Sequence, residues 1–236
     1  MHFFTAYCWD GGSKTAKNQD SLALCQMVVR RKRCLMAVVC DGIGSLADSE
    51  RISGFVTEQL VTWFFGNGAN VMGKSIYKGM MKNIVKRELY RIRGEICNVC
   101  EAQCGCTLSM LLICEHNFWI WNVGDSRVYR GHGKNDTVLT KDDTYRGMLT
   151  KCLGNFKWQG IYFKKGHVGK KDTFIICTDG FYRMLSQNEM HMILSKKVYS
   201  EKQAEKLLNE AVLRLKAKGE KDDISAIYVG AAEYFA

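Results

Sequence analysis

The sequence contains no proline, and no stretch rich in glycine or serine divides its 236 residues. With no linker and no shift in composition, residues 1–236 read as a single domain. Long apolar runs are missing too. Leu108 to Cys114, among the longest, is too short to span a bilayer, and Met1-His2-Phe3-Phe4 lacks the basic-then-apolar order of a signal peptide. A cytoplasmic protein with no membrane partner is expected. Acidic residues are outnumbered, 24 against 34 Lys and Arg, for a net charge of +10, which favours anionic partners. The one tight basic block, Arg30-Arg31-Lys32-Arg33, lies between two strand-like runs and reads as a solvated hairpin turn. Without an aromatic-basic interleave or a recognisable motif, no nucleic-acid partner is expected. Histidines number five and their spacing suggests no relay; His167 and His191 read as surface residues. No Gly-x-Ser-x-Gly elbow appears, and Gly73-Lys74-Ser75 lacks the earlier glycine of a phosphate loop.

Hydrophobic residues make up 47% of the chain, enough for a sizeable core. Of eleven cysteines, Cys25, Cys34, Cys40, Cys114 and Cys177 sit inside apolar runs, where they behave as small hydrophobes and stay reduced. Cys97, Cys100, Cys104 and Cys106 form a denser group. Its C-x2-C opening suggests zinc, but the second pair is C-x-C and the four are crowded together. Cys97, Cys100 and Cys104 fall on one helical face.

Strands are expected at Phe3–Trp9, Leu22–Val29, Arg33–Cys40, Thr107–Cys114, Phe118–Val123, Arg127–Arg130, Thr137–Leu139, Thr173–Thr178 and Ile224–Val229. Apolar residues at helical spacing predict a helix from Ser49 to Phe65, stopped by Gly66-Asn67-Gly68. A longer one runs from about Lys74 to Glu101, striped by Ile76, Met80, Ile84, Leu89, Ile92, Ile96 and Val99. Ser186-Gln187-Asn188-Glu189 is a capping box, and Glu201–Lys218 is amphipathic with Gly219 as its stop. Tyr145–Gly169 is less regular and reads as a flap or binding loop. Strands grouped around helices without regular alternation point to an α+β sandwich.

Acids mark the ends of several strands. Met36-Ala37-Val38-Val39-Cys40 runs straight into Asp41-Gly42-Ile43-Gly44, and Phe174-Ile175-Ile176-Cys177 into Thr178-Asp179-Gly180. Asp20 opens another strand, Asp125 follows one, and Asp222-Asp223 precedes the last. A carboxylate at the end of a core strand needs a hydrogen-bond network, an ion pair or a metal ion. Any single Asp-Gly is ordinary turn chemistry. Several such acids, with no His or Cys ligand among them, instead favour magnesium or manganese. Two such ions about 3.5–4 Å apart suit in-line attack on phosphorus by a bridging hydroxide.

Asn18-Gln19-Asp20, Asp41-Gly42-Ile43-Gly44, Gly105-Cys106-Thr107, Val123-Gly124-Asp125-Ser126-Arg127, Thr150-Lys151-Cys152-Leu153-Gly154, Thr178-Asp179-Gly180 and Asp222-Asp223-Ile224 occur in this order. Together they resemble the ordered motifs of the metal-dependent protein phosphatases, the type 2C family, in a compact bacterial form. The resemblance implies a four-layer α-β-β-α sandwich: two central, mainly antiparallel sheets flanked by helix pairs. It also implies a two-metal centre, Mn2+ or Mg2+, that hydrolyses phosphoserine and phosphothreonine in proteins. By position, Asp41 would bridge both ions with help from the Gly42 carbonyl. Asp20 would act through metal-bound water or a neighbouring contact, Asp179 and Asp222 would bind the far side, and Asp125 would serve a third ion. Ser126 and Arg127 would support the fold.

The chain departs from the family pattern at several positions. Thr15 stands where an Arg holds substrate phosphate, leaving Lys14 or Lys17 to substitute. Gln19 replaces Glu, Ser45 replaces Gly, Ile43 replaces a His, and Asp223 replaces Asn, adding negative charge near the ions. Arg183 takes the place of another third-ion acid, which counts against a third site. Phosphorylated proteins, including a serine/threonine kinase or its substrates, are the expected partners of a monomer. The alternative is an impaired phosphatase acting as a phosphoprotein-binding scaffold.

Overall fold

In the computed structural model, which describes residues 2–44, 46, 48–74, 79–99, 103–133, 135–154 and 160–232, the chain begins with three antiparallel strands. These are β1 (His2–Asp10), β2 (Asp20–Val29) and β3 (Lys32–Asp41). The basic block is the turn between β2 and β3, with Arg30 and Arg31 at φ 53° and 62°, the left-handed geometry that a two-residue hairpin needs. Helix α1 (Ser49–Trp63) follows, then α2 (Ala69–Gly73) and α3 (Met81–Val99). Next come β4 (Gly105–Cys106), β5 (Leu108–Cys114), β6 (Asn117–Val123), β7 (Arg127–His132) and β8 (Asn135–Val138). A small hairpin, β9 (Thr144–Tyr145) and β10 (Met148–Leu149), leads to β11 (Leu153–Gly154), β12 (Tyr162–His167) and β13 (Asp172–Cys177). The chain closes with α4 (Asp179–Tyr182), α5 (Gln187–Ser195), α6 (Glu201–Ala217) and β14 (Ile224–Ala232).

Two antiparallel five-stranded sheets form the middle, ordered β1-β14-β13-β7-β8 and β12-β6-β5-β3-β2. Strand β3 is buried from Cys34 through Cys40, as a continuous apolar run demands, because both of its faces are covered. One face of its sheet packs through Met36, Val38 and Met110 on Val56, Leu60, Leu89 and Ile92 of α1 and α3. The other contributes Leu35, Ala37, Leu111 and Ile113 to a core shared with Phe174, Ile176, Ile227 and Val229 of the facing sheet. That second sheet is covered outside by α5 and α6 through Ile193, Leu207, Leu208 and Leu215. These layers make the expected α-β-β-α sandwich.

Three local expectations are corrected. Gly66-Asn67-Gly68 does not stop the helix: a π turn, Phe64–Gly68, carries it into α2, kept on the sheet by buried Phe64, Ala69 and Met72. The described part of α3 starts at Met81, and Met81 and Val85, not the exposed Met80, line its buried face; Ile76 and the side chain of Val99 lie outside the described residues. Within Tyr145–Gly169, the segment Tyr162–His167 is a regular edge strand paired along β6. Its mixed lysines and aromatics hide the alternation that a half-buried edge usually shows. Among the described residues no helix is long and apolar enough to cross a membrane.

Candidate active site

Hairpin register sets the first two acids side by side, since Asp20 and Asp41 are direct partners across β2 and β3. The Asp41 backbone is pinned by Thr107, whose hydroxyl accepts from the Asp41 N–H at 3.0 Å and whose N–H donates to the Asp41 carbonyl at 2.8 Å. Gly42 is required next. A Cβ there would lie 2.7 Å from the Ser49 carbonyl oxygen and 2.9 Å from that of Gln19, so any side chain would push α1 off the hairpin.

The facing sheet supplies the other acids. Thr178, at the end of β13, donates its hydroxyl to Asp20 Oδ2 at 2.8 Å and so ties the two sheets together at the site. Asp179 begins α4, and Gly180 lets that turn close on Asp222-Asp223: a Cβ there would meet the Asp223 carbonyl oxygen at 2.1 Å. Asp223 is buried, and its carboxylate accepts from the N–H of Gly12 at 2.8 Å and of Gln19 at 2.7 Å. It therefore clamps the loop after β1, and its negative charge also helps to raise Asp20. Asp125 follows β6, and its carbonyl accepts from the Tyr182 hydroxyl at 3.0 Å. Ser126 meets Thr107 through their hydroxyls at 2.6 Å. Arg127 pairs with Asp142 at 2.6 Å and stacks 3.9 Å over the Tyr182 ring.

The carboxylates of Asp20, Asp41, Asp125 and Asp179 all hold their protons more tightly than usual, through burial first and neighbouring acids after it. Burial, then the charges of Asp20, Asp179, Asp125 and Asp222, hold Asp41 well above the ordinary carboxylate range. Burial pushes Asp20 up to about 7, against the hydrogen bond from the Thr178 hydroxyl. Asp125 rises to about 6, through burial and then Asp179. Asp179 is raised by burial, partly offset by Arg183.

Two cations reach this acidic group. Lys14 Nζ donates to Asp222 Oδ2 at 2.8 Å, positioned by its own N–H on the Lys221 carbonyl at 2.9 Å. The Arg183 guanidinium donates to Asp179 at 2.8 Å, Glu220 at 2.7 Å and Asp222 at 3.4 Å. Lys17, the other expected phosphate ligand, pairs instead with Glu50 on α1 at 2.9 Å, so the structure brings Lys14 but not Lys17 onto the acids. Thr178, Glu220 and the clamping role of Asp223 were missed by sequence reasoning. Only Thr178 carried a signal, as the first residue of the Thr178-Asp179-Gly180 motif.

Among the described residues no three acid, imidazole or thiolate groups close up into a finished cage for an ion. The donor chemistry nonetheless fits hard divalent cations. No described residue donates a hydrogen bond to the Asp41 carboxylate, and its nearest charged neighbours are other carboxylates, an arrangement that an oxygen-seeking cation relieves. The cysteine group does not form a metal site in the described residues: Cys97 is exposed on α3, while Cys104 and Cys106 are buried beyond the helix end. Cys100 lies outside the described residues, as does Ser45.

A sequence model of the protein phosphatase 2C family matches residues 13–217. This chain belongs to the protein phosphatase 2C family. Its enzyme class is accordingly protein serine/threonine phosphatase. A Mycoplasma genitalium sequence with a provisional protein-phosphatase description is 22% identical over 223 residues, covering 82% of this chain and 83% of its own. Among solved structures, the serine/threonine phosphatase Stp1 from Staphylococcus aureus superposes with a TM-score of 0.83 at 20% identity, over 99% of this chain and 96% of that one. The catalytic domain of the phosphatase PstP, solved with two manganese ions, gives a TM-score of 0.75 at 18% identity, over 98% and 99%. These likenesses reproduce the 2C-family sandwich end to end.

Proposed function

We propose that this 2C-family chain is an active phosphatase for phosphoserine and phosphothreonine in proteins and uses two divalent ions, manganese or magnesium. The supporting observation is the Asp41 carboxylate, which has no hydrogen-bond donor among the described residues and sits amid four other acids. Asp41, Asp20, Asp179 and Asp222 would hold the two ions, with the Gly42 carbonyl beside Asp41; Asp125 would serve a third position. When bound, the ions supply Lewis-acid activation of water and neutralise charge on the phosphoryl group.

The remaining roles fall to the chain itself. Thr178 orients Asp20 by donating to its Oδ2. Asp223 fixes the loop that carries Lys14. Lys14 presents a movable ammonium at Asp222, able to turn to an entering phosphate as a point charge. Phosphorylated proteins are the substrates, and residues 1–236 act as one catalytic domain in a cytoplasmic monomer.

Hydrolysis of an aryl phosphate and of a phosphothreonine peptide, measured across a manganese titration, tests this reading. Turnover that rises with manganese and disappears in Asp41→Asn and Asp222→Asn is expected. A wild-type protein that is folded, binds manganese and shows no turnover would overturn it in favour of a phosphoprotein-binding scaffold.

A further inference from the structure

The sandwich is open along two flanks, where edge strands of the two sheets face each other. Between β1 and β2 lies a cleft of about 560 Å3, lined by Tyr7, Trp9, Leu22 and Leu24 with Glu58 from α1. On the opposite flank, where β7 and β8 face β12, a cleft of about 530 Å3 is lined by Arg130, His132, Lys164 and Lys165 over Phe118 and Leu139. Among the described residues no carboxylate lines this second cleft. The contrast shows that basic lining does not follow merely from leaving a sandwich open.

We propose that the basic flank binds a small, multiply charged phosphate-bearing anion of the pyrophosphate class. Its basic groups come from both sheets, and Arg130 and His132 are held in place by a buried acid. The Asp172 side chain is fully buried; it accepts from Arg130 Nη2 at 2.5 Å and from the Gly169 N–H at 2.7 Å, and pairs with His132 Nδ1. Arg130 Nη2 also donates to the His167 carbonyl at 3.0 Å, while its Nε is buried without a partner. Such tethering removes ordering cost from ligand binding. Lys164 is in a different position: it lies opposite Ile120 of the inter-sheet core and no ion pair engages it among the described residues, so its charge is available to the cleft. Lys165, opposite the outward-packed Trp119, reaches the cleft only from its rim.

Lysines on an edge strand also deter sheet-to-sheet pairing. That purpose does not require an arginine and a histidine on the facing sheet, or a buried carboxylate to anchor them. The cleft volume lies within the range of small-molecule pockets, about 300–1,000 Å3, and Asn135 and Thr137 add neutral hydrogen-bonding groups at its rim. The site is separate from the acid group, because His132 and Asp172 are partners at one end of β7 and β13 while Arg127 and Cys177, next to the acids, are partners at the other.

Isothermal titration of inorganic pyrophosphate into the full chain stripped of divalent ions tests the proposal, since the ion-free acid group repels polyanions. Saturable binding is expected, weakened roughly tenfold or more by Lys164→Ala/Lys165→Ala and perturbing the His132 ring resonances. Manganese-dependent hydrolysis of an aryl phosphate should be unchanged in that double variant. No saturable heat at millimolar pyrophosphate overturns the proposal. So does equal affinity in the double variant, or a resonance shift confined to the surroundings of Lys14.

Discussion

The Arg183 guanidinium touches the carboxylates of Asp179, Asp222 and Glu220, two of which the proposed function assigns to metal. A fixed positive charge so close must oppose a divalent ion at the same oxygens. Arg183→Ala should therefore tighten manganese binding by roughly tenfold, equivalent to about 1.4 kcal/mol. The rise in melting temperature with manganese measures this independently of turnover, and Arg183→Lys should fall between the two. Weaker manganese binding in the alanine variant would show that Arg183 organises the acids instead of competing for them. Lys14 reaches the same Asp222 oxygen from the other side. Lys14→Ala should raise KM for an aryl phosphate several-fold with little change in kcat, whereas Lys17→Ala, which loses only its pairing with Glu50, should leave both constants unchanged. Equal effects from the two replacements would reject the distinction. The acids themselves were legible because each interrupts a strand-like run. Their supports were not: Thr178 reaches Asp20 across 158 positions and Asp223 reaches Gln19 across 204, and no local pattern records such partnerships.

Helix ends were read more easily, because capping is chemistry between neighbours. In α5 the Ser186 hydroxyl accepts from the Glu189 N–H, and the Glu189 carboxylate accepts from the Ser186 N–H. The Lys218 ammonium, beyond α6, adds bonds of 2.6 and 2.7 Å to the same carboxylate. Lys218 first, then the Ser186 backbone and hydroxyl, lower Glu189 to about 2 from an ordinary 4.5. Since the folded value lies below the unfolded one, this contribution is fully present above pH 4.5 and is lost as the pH falls through about 2. Carboxyl chemical shifts should place the Glu189 midpoint near 2, and Lys218→Ala should move it back toward 4.5; a wild-type midpoint near 4.5 would refute the linkage. Ser186→Ala should cost about 1 kcal/mol in denaturant unfolding. Elements whose pattern depends on distant packing were harder to read. The Gly66-Asn67-Gly68 run carries ordinary stop chemistry, yet packing of Phe64 and Met72 on the sheet holds the helix through it. Strand β12 alternates too weakly to announce itself, because as an edge it needs only partial burial.

At the scale of the molecule, the layers were legible from the grouping of strands and helices and from the order of the acid-bearing motifs. The pairing of β1 with β14 was not, because it joins the two ends of the chain in one register, Phe3 opposite Ala231 and Trp9 opposite Ser225. The sheets are bound by a middle core that neither completes alone: Leu111, Ile113 and Ile120 from one side, Phe174, Ile176 and Val229 from the other. Ile176→Ala should therefore cost about 2–5 kcal/mol and affect both sheets, although the residue belongs to only one. Trp63, Trp119 and Trp121 report on the outer core across the other sheet, so in a Trp9→Phe/Trp158→Phe background the fluorescence follows the half of the sandwich that keeps its own side chains. If residues 1–236 unfold as one unit, urea curves followed by this fluorescence and by far-ultraviolet ellipticity will shift to the same lower midpoint with unchanged slope. A fluorescence midpoint left at the wild-type value while ellipticity falls earlier would mean that the sheets unfold separately, and the acid group spanning them would then depend on an interface instead of a shared core.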